Sequence, residues 1–247
     1  CGCGQKSETT AAAPAQAVTA PAAQSGMARP VNTGVTPEQF GAKGDGIADD
    51  LQALQAAMQQ ASASGRPLEL TAGAVYRFSS CLGLPSGLTI RGNGAVLLSD
   101  IQYPDLREDR VAVELMKDSD GDRAHDVRLE NVTFRAADSC QANYMLRVML
   151  ARNVEFVGCT FDCEPNEWGR CAADLYGGNE NIRFEGCVFR QMTSDASGGI
   201  WVRNWTDRVE SRNIRFQNCE FYKSGADELL AVWGWGGAVR DVVLSDR

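Results

Sequence analysis

A nine-residue unit that opens on Asn or Asp and closes on Phe recurs through the second half of the chain. It reads "DVRLENVTF" at 126–134, "NVEFVGCTF" at 153–161, "NIRFEGCVF" at 181–189 and "NIRFQNCEF" at 213–221, and a fifth copy, "DVVLSD", starts at Asp241. Successive starts lie 27, 28, 32 and 28 residues apart. Positions two and four of each unit are apolar: Val127 and Leu129, Val154 and Phe156, Ile182 and Phe184, Ile214 and Phe216. Residues two apart on a strand share a face. Positions seven and nine are apolar as well, although four and seven have opposite parity: Val132 and Phe134, Cys159 and Phe161, Cys187 and Phe189, Cys219 and Phe221. A bend between them restores a common face. Position six is Asn131, Gly158, Gly186 or Asn218, the residue types that best tolerate positive φ. Each unit therefore predicts two short strands joined by a sharp corner, both facing one interior.

A third apolar stretch precedes each later unit: "MLRVML" (145–150), "AADLYG" (172–177) and "GIWVRN" (199–204), with "LLAVWG" (229–234) before the partial copy. Three short strands repeated in this way predict an all-β parallel β-helix, its coils stacked about 4.8 Å apart with like side chains in ladders. The open end of such a coil exposes unpaired backbone and has to be covered. "ADDLQALQAAMQQASASG" (48–65) supplies an amphipathic helix with Leu51, Leu54, Met58 and Ala61 on one stripe, Asp49 and Asp50 at its start and Gly65 past its end. The expected β-helix spans 36–247. The chain stops six residues into a further coil, which reads as a C-terminal truncation, with catalytic coils expected beyond Arg247 if it is a fragment.

The segment "FGAKGDGIADDLQALQAAM" (40–58), followed by "LELTAGAVYRFSS" and "LPSGLTIRGNGAVL", resembles the N-terminal region of the pectate lyase superfamily, whose members include pectate-lyase-like proteins, polygalacturonase-type hydrolases and phage tailspikes. The resemblance covers 36–98 closely and the coils to 247 by pattern. It implies a right-handed β-helix, often carbohydrate-active. Asp45, Asp49 and Asp50 within the motif are expected to serve the turn and the helix start.

Residues 1–35 form a different region. "SETTAAAPAQAVTAPAAQSG" has no hydrophobic period and cannot bury enough surface to order itself, so it predicts a tether. It follows Cys1, and a Cys followed by such a tether resembles the mature N-terminus of a bacterial lipoprotein. Cys1 is then the expected lipidation site, with the protein exported to the periplasm or anchored at the outer membrane through lipid alone. No run of 18 apolar residues would span a bilayer. The net charge of −8 excludes nucleic acid as a natural partner and repels anionic polysaccharide unless a local basic groove offsets it. Of nine cysteines, Cys159, Cys187 and Cys219 share one repeat position and are expected as stacked buried thiols. Cys163 and Cys171 are the best disulfide candidate, and Cys81 and Cys140 are read as either paired or free. One histidine, His125, and no CxxC pair leave no zinc site and no His-based triad. "DSDGD" (118–122) reads as a tight turn, since its Gly falls early for a calcium loop and no distal Glu completes the spacing.

In the resemblance, ligands lie along the outer face of one sheet. With Leu146 and Val148, Ala173 and Leu175, Ile200 and Val202, and Leu230 and Val232 inward, one outward column reads Arg147, Asp174, Trp201, Ala231 and the next Met149, Tyr176, Arg203, Trp233. Arg147, Tyr176, Trp201, Arg203 and Trp233 are the expected substrate contacts, with aromatic faces stacking on pyranose rings. The alternative is that loops cover these aromatics as a satellite core. Asp174, Asp195 and Asp227 fall near one edge on three successive coils and are the expected catalytic acids; Asp162, Glu164 and Glu228 lie in the same loops. Adjacent coils would separate carboxylates by about 5 Å and alternate coils by about 10 Å, bracketing the 6.5–9.5 Å or so of an inverting glycosidase. The polygalacturonase-type motifs "NTD", "GHG" and "RIK" are absent, and "SGAD" lacks a paired "DD". A lyase would instead need a base, for which Arg147, Arg203 and Lys223 are placed, and calcium as cofactor; a hydrolase needs none. The function expected is an exported polysaccharide-acting hydrolase or lyase, the alternative a non-catalytic module binding glycan or protein. A monomer is expected, since the Cys1 tether argues against a tailspike-like trimer.

Overall fold

In the computed structural model the described residues are 34–102, 110–115, 123–163, 171–192, 199–204, 209–223, 229–234 and 238–246. Cys1 and the expected tether up to residue 33 lie outside them, as does "DSDGD". The strands form three parallel sheets, two of seven strands and one of six. One coil runs through Ala124–Glu130 in the first sheet, Thr133–Ala136 in the second and Tyr144–Met149 in the third, then returns to the first at Ala151–Val157. Each strand pairs in register with its equivalent one coil on, so that Val127, Val154, Ile182, Ile214 and Val242 form one file. This is the parallel β-helix of three strands per coil that the repeat predicts. Val35 already bridges Leu68 and is buried.

The interior is built from ladders. Phe134, Phe161, Phe189 and Phe221 stack at 4.9, 4.9 and 5.1 Å, and Phe156, Phe184 and Phe216 at 4.8 Å each, with ring planes 5–9° apart. Stacked pairs of this kind contribute about 0.5–1.5 kcal/mol each beyond their buried area. Cys159, Cys187 and Cys219 stand in one file, their thiols donating to the carbonyls of Leu129, Phe156 and Phe184 on the preceding coil. The position-six corners adopt φ of 51–61° at Asn131, Gly158, Gly186 and Asn218. A Cβ on Gly158 would lie 2.6 Å from Asn131 Oδ1, so glycine there meets both the backbone angle and the close approach.

A second corner falls at position one, where Asp126, Asn153, Asn181, Asn213 and Asp241 have φ of 54–57°. Their side chains make a ladder of their own. Nδ2 of Asn153 donates to Asp126 Oδ1 at 2.9 Å, that of Asn181 to Asn153 Oδ1 at 3.0 Å, and that of Asn213 to Asn181 Oδ1 at 2.6 Å.

The helix Leu51–Ser64 adds Leu54, Ala57, Met58 and Ala61 to the same apolar core, and Gly65 closes it in the left-handed conformation. The three aspartates before it bind backbone: Asp45 Oδ1 accepts from the amides of Ile47 and Ala48, Asp49 from Leu51, and Asp50 from Lys43 and Gly44. The hydrogen bonds from Ala48 and Ile47 hold the Asp45 carboxyl below its ordinary pKa.

Cys163 and Cys171 are not joined in a disulfide, contrary to the bond expected. The reason is their placement. Cys163 belongs to the interior, whereas Cys171 sits on the outer side of the third sheet, against Trp201 and Ala231. Cys81 and Cys140 are not disulfide-bonded either.

Candidate functional site

The third sheet presents two outward files, in the register that alternation predicts. Glu114, Arg147, Asp174, Trp201 and Ala231 form one, Met149, Tyr176, Arg203 and Trp233 the other. The residues between them, Leu146, Val148, Ala173, Leu175, Ile200 and Val202, are fully buried in the core. Two buried amides shape the exit from these strands. Asn179 donates from Nδ2 to Val148 O and accepts at Oδ1 from the Ala151 amide; Asn204 donates to Val209 O and Ala238 O and accepts from Ser211 Oγ.

The outward files are not an open surface. Asp174 has no solvent exposure, and Arg147, Trp201 and Arg203 are 7–8% exposed. Tyr176 and Trp233 are half-buried. Parity gives the direction of a side chain and says nothing about what packs beside it; here the charged and aromatic groups bury one another. Arg203 grips Asp174 with two parallel hydrogen bonds, Nε to Oδ1 and NH2 to Oδ2, both 2.8 Å, and Arg147 Nε reaches Oδ2 at 3.1 Å. Such a fork is the strong geometry for a guanidinium and a carboxylate. Burial disfavours the Arg203 charge, but the bonds from Asp174 outweigh it and raise the guanidinium's pKa.

Aromatic rings close over both arginines. The Arg203 guanidinium lies 4.6 Å from the Trp201 ring centroid, 5.1 Å from Tyr176 and 5.9 Å from Tyr144, while Arg147 lies 4.7 Å from Tyr144. Cations over ring faces are stabilised most where water is excluded. Glu114, beside Arg147 in register, completes an alternation of sign along the sheet. Trp201 packs at 5.8 Å against Tyr144 and 5.5 Å against Trp233. Burial pushes the Tyr144 hydroxyl and the Cys171 thiol above their ordinary pKa values.

Tyr144 and Cys171 were not expected in this cluster. Both open their strands, Tyr144 shares parity with the inward Leu146, and nothing in the alternation marks it as outward. The side chains that converge are thus Arg147, Asp174, Trp201 and Arg203, with Tyr176 and Trp233 at the margin. Asp195, Asp227, Glu164 and Glu228 lie outside the described residues. Asp162 stands on the second sheet, paired with Arg135 at 3.3 Å, and Lys223 ends a strand of that sheet, so neither belongs to this face. His125 is half-buried and pairs with Asp126 at 2.9 Å. Among the described residues no three His, Cys, Asp or Glu side chains converge as a calcium or zinc set would require.

Chemically, Asp174 accepts three hydrogen bonds from two arginines, so both of its oxygens are committed to holding them. It fixes two guanidiniums and, through them, three rings, Tyr144, Tyr176 and Trp201. A rigid row results, Tyr176, Arg203 and Trp233 on successive coils, aromatic on either side of a cation.

Residues 35–227 match the family described as rhamnogalacturonase A/epimerase, pectate lyase-like. Comparison with curated proteins gave no match. Among solved structures, the surface adhesin PfbA of Streptococcus pneumoniae is similar in two structures. One has a TM-score of 0.66 at 17% identity over 85% of this chain and 61% of that one; the other has 0.61 at 18% over 79% and 50%. The ORF18 protein of Geobacillus virus E2 is similar at a TM-score of 0.57 and 17% identity, over 81% of this chain and 47% of that one. The chain thus spans about half to three-fifths of the length of these structures, and at such identity the likeness shows the fold.

Proposed function

Because the chain belongs to the rhamnogalacturonase A/epimerase, pectate lyase-like family, we propose that it recognises polysaccharide on the outer face of its third sheet. The observation that carries this reading is the row Tyr176, Arg203, Trp233, held in register on three coils with Arg203 clamped by Asp174. Tyr176 and Trp233 are half-buried, each offering an edge or face to a pyranose ring, and the buried Arg203 between them fixes their spacing through its fork to Asp174. Ring contacts of this kind contribute on the order of 1 kcal/mol per aromatic beyond area burial, which suits weak binding of an extended chain. Such a role places the protein outside the cytoplasm, where polysaccharide is met.

A catalytic version, hydrolase or lyase, is favoured by the enzymes that give the family its description. In it Asp195 and Asp227 act on the bound glycan, and Asp174 positions Arg147 and Arg203. Both versions require the aromatic row. On a glycan array, Tyr176→Ala combined with Trp233→Ala should remove glycans that the intact chain selects, while the unfolding midpoint moves little, since both side chains are half-buried. An array unchanged in the double variant refutes the reading. Incubation of the selected polysaccharide with the intact chain then separates the versions: new reducing ends or unsaturated uronate ends mark catalysis, and an unchanged polymer marks a binding module.

A further inference from the structure

The first sheet carries a different surface. Across Ala124–Glu130, Ala151–Val157, Glu180–Glu185 and Ser211–Gln217 runs an open groove of about 400 Å³, bordered by the Asn153, Asn181 and Asn213 ladder. Beside the ladder, Arg128, Glu155, Arg183 and Arg215 stand in register on four successive coils. The first three are held in ion pairs together with Glu130 and Glu185. Arg128 binds Glu130 and Glu155, and Arg183 binds Glu155 at 2.9 Å and Glu185 at 2.7 Å.

Arg215 differs. It is exposed, its register partner on the next coil is Val243, and among the described residues it meets no carboxylate; its hydrogen bond runs from Nε to Asn213 Oδ1 at 2.7 Å. That bond terminates the ladder, so the amides form a single polarised file from the Asp126 carboxylate to the Arg215 guanidinium. A chain of net charge −8 therefore ends an open groove on a cation that meets no carboxylate among the described residues. That is the local exception an anionic polymer would need.

We propose that this groove binds a linear anionic polysaccharide, with an acidic group of the polymer on Arg215 and its hydroxyls on the asparagine file. The spacing selects the polymer. Donors repeat at the coil rise, which the phenylalanine stacks place at 4.8–5.1 Å. One pyranose residue has about the length of one such step. An extended polypeptide advances only about 3.3 Å per residue and falls out of step within two coils. Nucleic acid would bring a phosphate on every nucleotide against the overall negative charge. This surface lies on a different sheet from the aromatic row, and the proposal does not depend on that row.

The test is titration of the full Tyr176→Ala/Trp233→Ala chain, in which the aromatic row cannot contribute, with hexagalacturonate (carboxylate only), a heparin hexasaccharide (sulfate and carboxylate), neutral cellohexaose and poly-L-glutamate at low salt. Binding is expected for one or both acidic glycans, weakening as salt rises because the ion pair is exposed. Arg215→Gln added to that background, which breaks no ion pair, should weaken it roughly tenfold or more. Binding to hexagalacturonate alone or to the heparin fragment alone supports the proposal and identifies the acidic group. It is overturned if neither acidic glycan binds, if cellohexaose or poly-L-glutamate binds as tightly, or if Arg215→Gln has no effect.

Discussion

Replacing Asp174 by Asn changes one atom and removes the charge on which the third sheet's outer face is organised. The carboxylate has no exposure and accepts three hydrogen bonds of 2.8, 2.8 and 3.1 Å from guanidiniums that are themselves 9–10% exposed. In the variant an amide N–H is turned toward a cationic donor, and both arginines lose their shared counter-charge. Removing one partner of a buried ion pair costs about 3–5 kcal/mol, because the other charge stays buried and uncompensated. For a chain of this size each kcal/mol lowers the melting temperature by about 2–4 °C, so a fall of roughly 6–20 °C is expected. Urea unfolding followed by tryptophan fluorescence is the suitable assay, since Trp201 and Trp233 report from the cluster itself. The loss should shrink by more than about 1 kcal/mol when Asp174→Asn is made in an Arg203→Gln background, the coupling expected of residues in one network. A loss below about 1 kcal/mol in the single variant, the range of an exposed pair, would refute the placement of Asp174 as the buried centre of this face.

Two further predictions concern the scaffold. Phe184 stacks between Phe156 and Phe216 with no exposure, so Phe184→Ala should cost about 3–5 kcal/mol in urea unfolding, and Phe221→Ala, half-buried at the last stack, distinctly less; equal losses would count against the ladder as the core. Alkaline pH should also weaken the fold: burial pushes the Cys81 thiol up to about 12, and burial with the Glu38 bond pushes the Tyr76 hydroxyl up to about 12. The folded chain then keeps protons that the unfolded chain loses from about pH 9 for a thiol and pH 10 for a phenol, so these groups should lower stability between pH 9 and pH 12. The urea midpoint against pH measures this, with Tyr76→Phe flattening the upper part; an unchanged midpoint from pH 9 to 12 contradicts it.

The repeat made the coil legible because burial leaves a periodic trace. Val154, Phe156, Cys159 and Phe161 could share an interior only if the chain turned at Gly158, and it does. The corner at Asn153 left no such trace. Its function is a hydrogen bond to the same position one coil earlier, a relation between repeats that no alternation within a repeat encodes. The third sheet shows the same division. Register and direction of Arg147, Asp174, Trp201 and Arg203 followed from parity, but their burial did not, because it arises from rings and guanidiniums closing over Asp174. Tyr144 was lost for the converse reason, its number placing it with the inward Leu146. Cys163 and Cys171 are near in sequence and were paired on that ground, yet the coil wall stands between the core and the outer cluster to which they belong.

The central claim, that polysaccharide is held on the aromatic row of the third sheet, is tested most directly by a crystal structure of the chain with the oligosaccharide its glycan array selects. The predicted result is a sugar ring against Tyr176 or Trp233, with the Arg203–Asp174 fork beneath it unchanged. An oligosaccharide bound elsewhere, with Tyr176 and Trp233 untouched, would contradict it.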